Sequence, residues 1–323
     1  MHTFNDLKAI LDKSLHQAEF PAEPNQLYDP LRYILGIGGK RIRPLLALMS
    51  CDLFNEDPKK ALGAAMAVEY FHNFSLIHDD IMDQADVRRG QETVHKKWNV
   101  NVGILSGDAL LIKAYQQLDT YPADLFKPLN QLLCKTAIEV CEGQQFDVDF
   151  ETLNEVSKED YIEMIRLKTA VLLGASLKMG AFIAKASEKD AELIYNFGID
   201  LGIAFQLQDD YLDSFGDAEH FGKRIGGDII NNKKTILFIE ALKQSTSEQK
   251  DQLMKLYRLR DDSRQKIDEV KSIFEDSGAK TETLSLIEYY TSRAFDSLDQ
   301  ISVKSQNKQE LKSLASYLMN RSI

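Results

Sequence analysis

The chain has 323 residues, 44% of them hydrophobic, with a net charge of −11 and a pI near 5.1. That length suits one large domain or two average ones, and the apolar share can build a sizeable core. The acidic balance argues against general binding to nucleic acid or to anionic membrane surfaces.

In chain order, residues 3–19 and 25–36 read as short amphipathic helices, the second stopped by Gly36-Ile37-Gly38-Gly39. Pro44 fits the first turn of a third helix running to about Phe54. Pro58 fits the first turn of a long one reaching about Asp83. In that long helix Leu62, Ala65, Met66, Val68, Phe71, Phe74, Ile77 and Ile81 recur at spacings of mostly three and four. Residues 84–99 are polar and basic and read as a loop. Helices are expected near 100–120, 123–150, 157–184 and 187–214, then a Gly-rich polar loop over about 215–231. Five more helices follow, near 233–245, 247–258, 261–277, 280–301 and 306–321. No proline occurs after Pro128, which permits long helices. Alternating strand patterns, internal repeats and linker-like stretches are absent, so a single all-α domain over 1–323 is the expectation. The first residues, MHTFNDLKAI, lack the basic and apolar regions of a signal peptide. No window offers about 18 uninterrupted apolar residues for a membrane span. The three cysteines, Cys51, Cys134 and Cys141, fit no zinc spacing. Cys134 and Cys141, seven apart, are expected on one buried helix face. Free buried thiols suit a reducing, cytoplasmic setting.

Two clusters, Asp79-Asp80-Ile81-Met82-Asp83 and Asp209-Asp210-Tyr211-Leu212-Asp213, both read D-D-x-x-D and both close apolar helical segments. Positions i and i+4 share a helix face, so Asp79 projects with Asp83 and Asp209 with Asp213, and like charges so placed repel. A hard cation such as Mg²⁺ compensates such carboxylates and takes substrate phosphates as further ligands. One such cluster in an acidic chain is ordinarily a solvated helix end. Two, each ending a segment that should be buried, point to a site. If the two helices face each other, they form a clamp for a phosphorylated ligand.

Basic residues gather at four turns: Lys40-Arg41-Ile42-Arg43, Arg88-Arg89, Lys168, and Lys223-Arg224 with Lys233-Lys234. Singly each is a surface charge. Beside metal-binding carboxylates they suit a polyanion, with Arg for bidentate phosphate contacts and Lys for compact charge.

Gly38-Gly39-Lys40-Arg41-Ile42-Arg43-Pro44, His78-Asp79-Asp80-Ile81-Met82-Asp83 with Arg88-Arg89-Gly90, Lys168-Thr169, and Phe205-Gln206-Leu207-Gln208-Asp209-Asp210-Tyr211-Leu212-Asp213 closely resemble the trans-isoprenyl diphosphate synthases, or polyprenyl synthetases. The motifs occur in family order over about residues 38–235. The resemblance implies an isoprenoid-synthase-type bundle around a deep central cavity, acting as a homodimer. It implies Mg²⁺-dependent, head-to-tail condensation of isopentenyl diphosphate with an allylic diphosphate, with released pyrophosphate accepting the final proton. By motif position, Asp79, Asp83 and Asp209 would bind Mg²⁺, three ions per site with the allylic diphosphate present. Asp80, Asp210 and Asp213 would support them. Lys40, Arg43, His72 and Arg89 would hold isopentenyl diphosphate. Arg88, Lys168, Lys223 and Lys233 would hold the allylic diphosphate. Thr169 and Gln206 would lie beside the forming cation, and Gln144 and Asp147 match a further polar motif. On residues alone His72 reads as a core histidine; the motif reverses that. Where the family often carries a second Gly-Lys-Asp, this chain reads Gly226-Gly227-Asp228.

Phe74 and Phe71 stand five and eight positions before Asp79, where bulky groups would limit the product. No residues are inserted in the first motif, and Ser75 replaces an aromatic at position four. Both features resemble geranylgeranyl-type enzymes, so C20 is expected over C15. Three rivals read less well. A terpene cyclase usually lacks the second motif. A phosphohydrolase using the His78-Asp79 doublet needs distal ligands that six histidines do not supply. A non-catalytic partner subunit tends to lose the aspartates kept here.

Overall fold

The computed structural model describes residues 2–153, 155–217, 225–259 and 261–320. Among these the chain is helical apart from one two-stranded hairpin, and it divides into two units. No described helix is long and apolar enough to cross a membrane.

The first unit takes Met1–Ala137, Ala175–Tyr195 and Ile301–Glu310. Helix α1 (Phe4–His16) starts at Thr3, whose hydroxyl accepts from Asp6 N–H while the Asp6 carboxylate accepts from Thr3 N–H. This reciprocal cap satisfies two otherwise orphaned donors. Leu7 and Leu11, four apart, are its buried face. Helix α2 (Asn25–Gly36) precedes the glycine turn, and α3 (Ile42–Leu53) is buried from Pro44 to Leu53. Helix α4 (Leu62–Met82) is buried continuously from Ala64 to Phe71 and packs on α3 and on α6 (Val100–Gln116). A 3₁₀ turn, Pro58–Ala61, stands where the long helix was expected to begin. Asp57 accepts from Lys59 N–H there and tightens the first turn.

Two glycines of α6 let it approach the motif-bearing end of α4. A Cβ on Gly103 would lie 2.9 Å from Ile81 Cδ1, and one on Gly107 would lie 2.3 Å from His78 Nε2. Between these helices, the expected loop contains a short helix, α5 (Val94–Lys97), and a hairpin of β1 (Val87–Arg88) with β2 (Gln91–Glu92). Arg89 (φ 52°) and Gly90 (φ 76°) turn it, both with the positive φ of a primed turn.

The second unit takes Ile138–Gly174, Asn196–Gln300 and Leu311–Ile323. It contains the C-terminal part of α7 (Ala123–Thr152), α8 (Lys158–Ile165), the start of α9 (Val171–Ile183) and most of α10 (Glu188–Phe215). Then come α11 (Gly227–Ile230), α12 (Ile236–Gln244), α13 (Ser247–Leu256), α14 (Arg264–Asp276), α15 (Ala279–Asp299) and most of α16 (Gln309–Met319). Lys158 joins α8 to α12 and α15 through Glu240 (3.0 Å) and Glu282 (2.7 Å).

Two expectations are corrected. The helix over 157–184 is interrupted: Arg166–Ala170 form one π-helical turn between α8 and α9. The cysteines Cys134 and Cys141 are exposed, and only Cys51 is buried. The inward stripe of α7 is Leu129, Leu133, Thr136, Val140 and Gly143. At about 100° per residue, Cys134 and Cys141 fall one step beyond it.

Candidate active site

In the first unit, four arginines meet two buried acids. Arg41 is 8% exposed and ion-paired with Glu69, itself 1% exposed. Arg88 is paired with Asp80, also 1% exposed. Arg43 and Arg89 are in no carboxylate ion pair among the described residues. Instead Arg43 Nη1 lies 3.3 Å from His72 Nε2, and Arg89 Nη1 donates to Gly38 O. The Nε of Arg43 is buried without a partner. Burial, opposed by Glu69 and aided by Arg89, pulls the Arg43 guanidinium down to about 10. Burial and then Arg43, Arg89, Arg88 and Arg41 hold the His72 imidazole well below its usual range. His72 is therefore neutral and accepts from Arg43. The cluster keeps uncompensated positive charge in a partly desolvated place, which an anion relieves.

The hairpin aims these groups. Arg88 ends β1 and reaches back to Asp80 on α4, while Arg89, the first turn residue with φ 52°, leaves the strand direction and closes on the glycine turn. Gly39 (φ 131°) lies so near Arg89 that a Cβ would sit 2.6 Å from Nη1. Lys40, exposed, follows at once.

Asp79 and Asp83 occupy the last turn of α4, Asp79 half-buried and Asp83 exposed as the C-cap, its N–H donating to Asp79 O at 2.8 Å. Carboxylates four residues apart at that end of a helix share a face and lie by the negative end of the helix dipole, an arrangement that a cation stabilises. Among the described residues no three His, Cys, Asp or Glu side chains gather as a metal site, and these two oxygen donors are of the kind that Mg²⁺ takes together with substrate phosphates. Phe74 is half-buried, edge-on to His78 (4.8 Å) and 5.6 Å from Phe71, which is 1% exposed.

In the second unit, Asp209, Asp210 and Asp213 lie near the C-terminal end of α10, which runs on to Phe215, so Asp213 sits inside the helix and is buried where Asp83 is an exposed cap. Asp209 is half-buried. Asp210, buried, accepts from Tyr161 Oη and from Gln206 Nε2 (3.3 Å). Burial and then Asp228 push its carboxyl well above the usual range. Asp213 accepts from Asp228 N–H through Oδ2 (2.9 Å), and its carbonyl accepts from Gly226 N–H (2.6 Å). A Cβ on Gly227 would lie 3.2 Å from Asp213 Oδ1. The Gly226-Gly227-Asp228 segment is thus seated on the second aspartate motif, and Lys233 N–H donates to Asp228 O (2.9 Å).

Lys168 and Thr169 lie in the π turn. Lys168 Nζ is ion-paired with Asp147, and Thr169 Oγ1 donates to Gln206 Oε1 at 3.4 Å. A π turn inserts one residue into the helical register and is frequent at functional sites. Two glycines admit it. A Cβ on Gly143 would lie 2.3 Å from Lys168 N, and one on Gly202 would lie 2.7 Å from Ala170 Cα.

Residues 24–276 match the family model for polyprenyl synthetases. The chain belongs to the polyprenyl synthetase family. A geranylgeranyl pyrophosphate synthase of Geoglobus acetivorans is 34% identical over 319 residues, covering 98% of this chain and 97% of the relative. A crystal structure of a geranylgeranyl pyrophosphate synthase superposes with a TM-score of 0.94 at 49% identity, covering 100% of both chains. Another, from Pyrococcus horikoshii Ot3, gives 0.92 at 32% identity, over 99% of this chain and 98% of that one. These solved structures share the all-α isoprenoid-synthase fold.

Of the family's motif positions, Lys223 lies outside the described residues. Sequence reasoning left Glu69, Tyr161 and the separate fate of Arg41 unread. Glu69 had a signal: it is the one charged residue in the apolar run Leu62–Phe71. Asp147 was matched to a motif without a role, and the structure sets it against Lys168.

Proposed function

We propose that this chain is a prenyltransferase that condenses isopentenyl diphosphate, head to tail (1′-4), with an allylic diphosphate, with C20 geranylgeranyl diphosphate as its product. One observation carries the reading. Arg43 lies against neutral His72, with the Arg89 charge near it, while Glu69 and Asp80, the buried acids of this cluster, are engaged by Arg41 and Arg88. The charge left over suits the diphosphate of isopentenyl diphosphate, with Lys40 at the rim. The many named relatives that make geranylgeranyl diphosphate support the C20 product.

Asp79, Asp83 and Asp209 would hold Mg²⁺, three ions when the allylic diphosphate is bound, with Asp80, Asp210 and Asp213 fixing their neighbours. Bound Mg²⁺ would offset charge on the departing diphosphate. Lys168 exchanges Asp147 for a phosphate oxygen, and Arg88, Lys223 and Lys233 add charge at the allylic diphosphate. Thr169 Oγ1 and Gln206 Oε1 turn oxygen towards the allylic cation. The C4 double bond of isopentenyl diphosphate attacks C1 of that cation, and the proton lost from C2 goes to pyrophosphate.

The whole chain serves as one catalytic domain, a reading supported by a family match that runs through both units. It works as a cytoplasmic homodimer. The outward face of α6 supports pairing, since Leu105 is 61% exposed and Ile112 58%, more apolar surface than a lone helix face needs.

The test is a Mg²⁺-dependent incubation with labelled isopentenyl diphosphate and dimethylallyl, geranyl or farnesyl diphosphate, with products separated by chain length. A C20 product is expected. Products ending at C15 would make it a farnesyl diphosphate synthase. No condensation with any primer would overturn the reading in favour of a non-catalytic partner subunit.

A further inference from the structure

The four basic-motif residues Lys40-Arg41-Ile42-Arg43 do not share one task. Arg41 is buried, and both of its terminal nitrogens are engaged within the protein, Nη1 by Glu69 Oε1 and Nη2 by Leu35 O. Glu69 Oε1 also accepts from Asn73 Nδ2, which donates as well to Glu69 O at 2.8 Å. Asn73 is wholly buried. One guanidinium thus joins the end of α2, the start of α3 and the middle of α4.

The backbone agrees. Arg41 caps α3 in the left-handed region, φ 51° and ψ 32°. A non-glycine residue holds that conformation when its surroundings over-determine it, and here the side chain is the fixing. Gly38 and Gly39 just before it have φ of 89° and 131° and impose no direction of their own. The turn is held at one end by Arg89 on Gly38 O and at the other by Arg41 on Glu69. Lys40 and Arg43 project from between and just beyond those anchors. Glu69 also lies near enough to Arg43 and Arg89 to favour their charged forms.

We propose that Arg41, Glu69 and Asn73 form a buried bracket that positions the Gly38–Arg43 segment, making Arg41 and Glu69 positioning residues for isopentenyl diphosphate rather than its ligands. This rests on the assignment of Lys40 and Arg43 to that substrate. The bracket sets where the two cations point, and Glu69 offsets part of the positive charge of Arg43 and Arg89.

The experiment compares wild type with R41K, E69Q and N73L, and with the double variant R41M/E69L. The double variant removes both charges and leaves no buried ion alone, the kind of replacement buried pairs tolerate. KM is measured separately for isopentenyl diphosphate and for the allylic primer, with melting curves. In variants that keep the wild-type circular dichroism, KM for isopentenyl diphosphate is expected to rise about tenfold or more. The allylic KM should stay within about twofold and kcat within about threefold, the pattern of lost binding rather than lost chemistry. The double variant should melt near wild type yet keep the raised KM. Equal changes in both KM values, or none in either, would overturn the bracket and leave Arg41 a stabilising residue. Failure of wild type itself to condense the substrates would instead strike the functional reading.

Discussion

Arg88 closes a bidentate ion pair on Asp80, its Nε 2.8 and 2.9 Å from the two carboxylate oxygens and its Nη2 2.7 Å from Oδ1. The next residue, Arg89, makes no such pair and donates to a backbone oxygen. The two neighbours therefore fail differently when removed. R88A leaves a buried carboxylate without its counter-charge, which costs about 3 kcal/mol, the lower end of the range for broken buried pairs because Arg88 is partly exposed. R89A removes a hydrogen bond, about 1 kcal/mol. Melting and kinetics on both variants check this. R88A should lose stability and raise the allylic KM. R89A should melt near wild type and raise KM for isopentenyl diphosphate.

His72 gives the fold a pH dependence whose sign is fixed. The folded imidazole is held well below its usual value by burial and by arginines. The unfolded imidazole titrates at about 6.5. Above that pH neither state binds the proton and nothing is lost. As pH falls through about 6.5 the unfolded chain takes a proton that the folded chain refuses, so stability drops by about 1.4 kcal/mol per pH unit. The raised carboxyl of Asp210 works the other way. The quantity to measure is thus the difference between wild type and H72Q in denaturant unfolding at pH 7.5, 6.5 and 5.5. Wild type should fall relative to H72Q below 6.5. Parallel curves would mean that His72 charges inside the fold.

The π turn depends on Gly143, because an added Cβ would come within 2.3 Å of the Lys168 nitrogen. Backbone cannot yield as a flexible side-chain tip can, so G143A should cost about 1–3 kcal/mol by overpacking. Activity should fall further than stability explains, since the displaced atoms carry Lys168 and Thr169. G36A is the control. Nothing lies within 4 Å of a Cβ there, and the residue is in ordinary helical conformation. It should leave melting and kcat near wild type. Equal behaviour of the two variants would remove the argument that the π turn is shaped by close packing.

How much of this was legible follows from what repeats along a chain. The helices were readable because apolar spacing survives in the sequence, as from Leu62 to Ile81 on α4. The aspartate motifs were readable because like charges four apart on a helix need a reason. The π turn at Arg166–Ala170 was not, since one inserted residue barely disturbs a periodicity of 3.6. The division of Lys40-Arg41-Ile42-Arg43 into ligands and an anchor was hidden as well. Arg41 and Arg43 are chemically alike, and only the placement of Glu69 separates them. The exposure of Cys134 and Cys141 was misread because a seven-residue spacing fixes a shared face but not which face.

Phe74 supplies the sharpest statement about product length. Its ring stands five residues before Asp79, half-buried, edge-on to His78 and beside Phe71. Phe71, at 1% exposure, is core, and F71A should cost about 3–5 kcal/mol before any effect on product can be read. Phe74 is less enclosed, so F74A should cost less and open room along α4 for a longer chain. Ser75, half-buried with its hydroxyl donating to His72 O at 2.9 Å, lies one residue nearer the aspartates. A ring there should stop the growing chain sooner. The two substitutions therefore move the product in opposite directions, F74A beyond C20 and S75F towards C15. Chromatography of dephosphorylated products from farnesyl and geranyl primers reads both. If F74A leaves the product distribution of wild type unchanged while retaining activity, Phe74 is a packing residue and product length is set elsewhere.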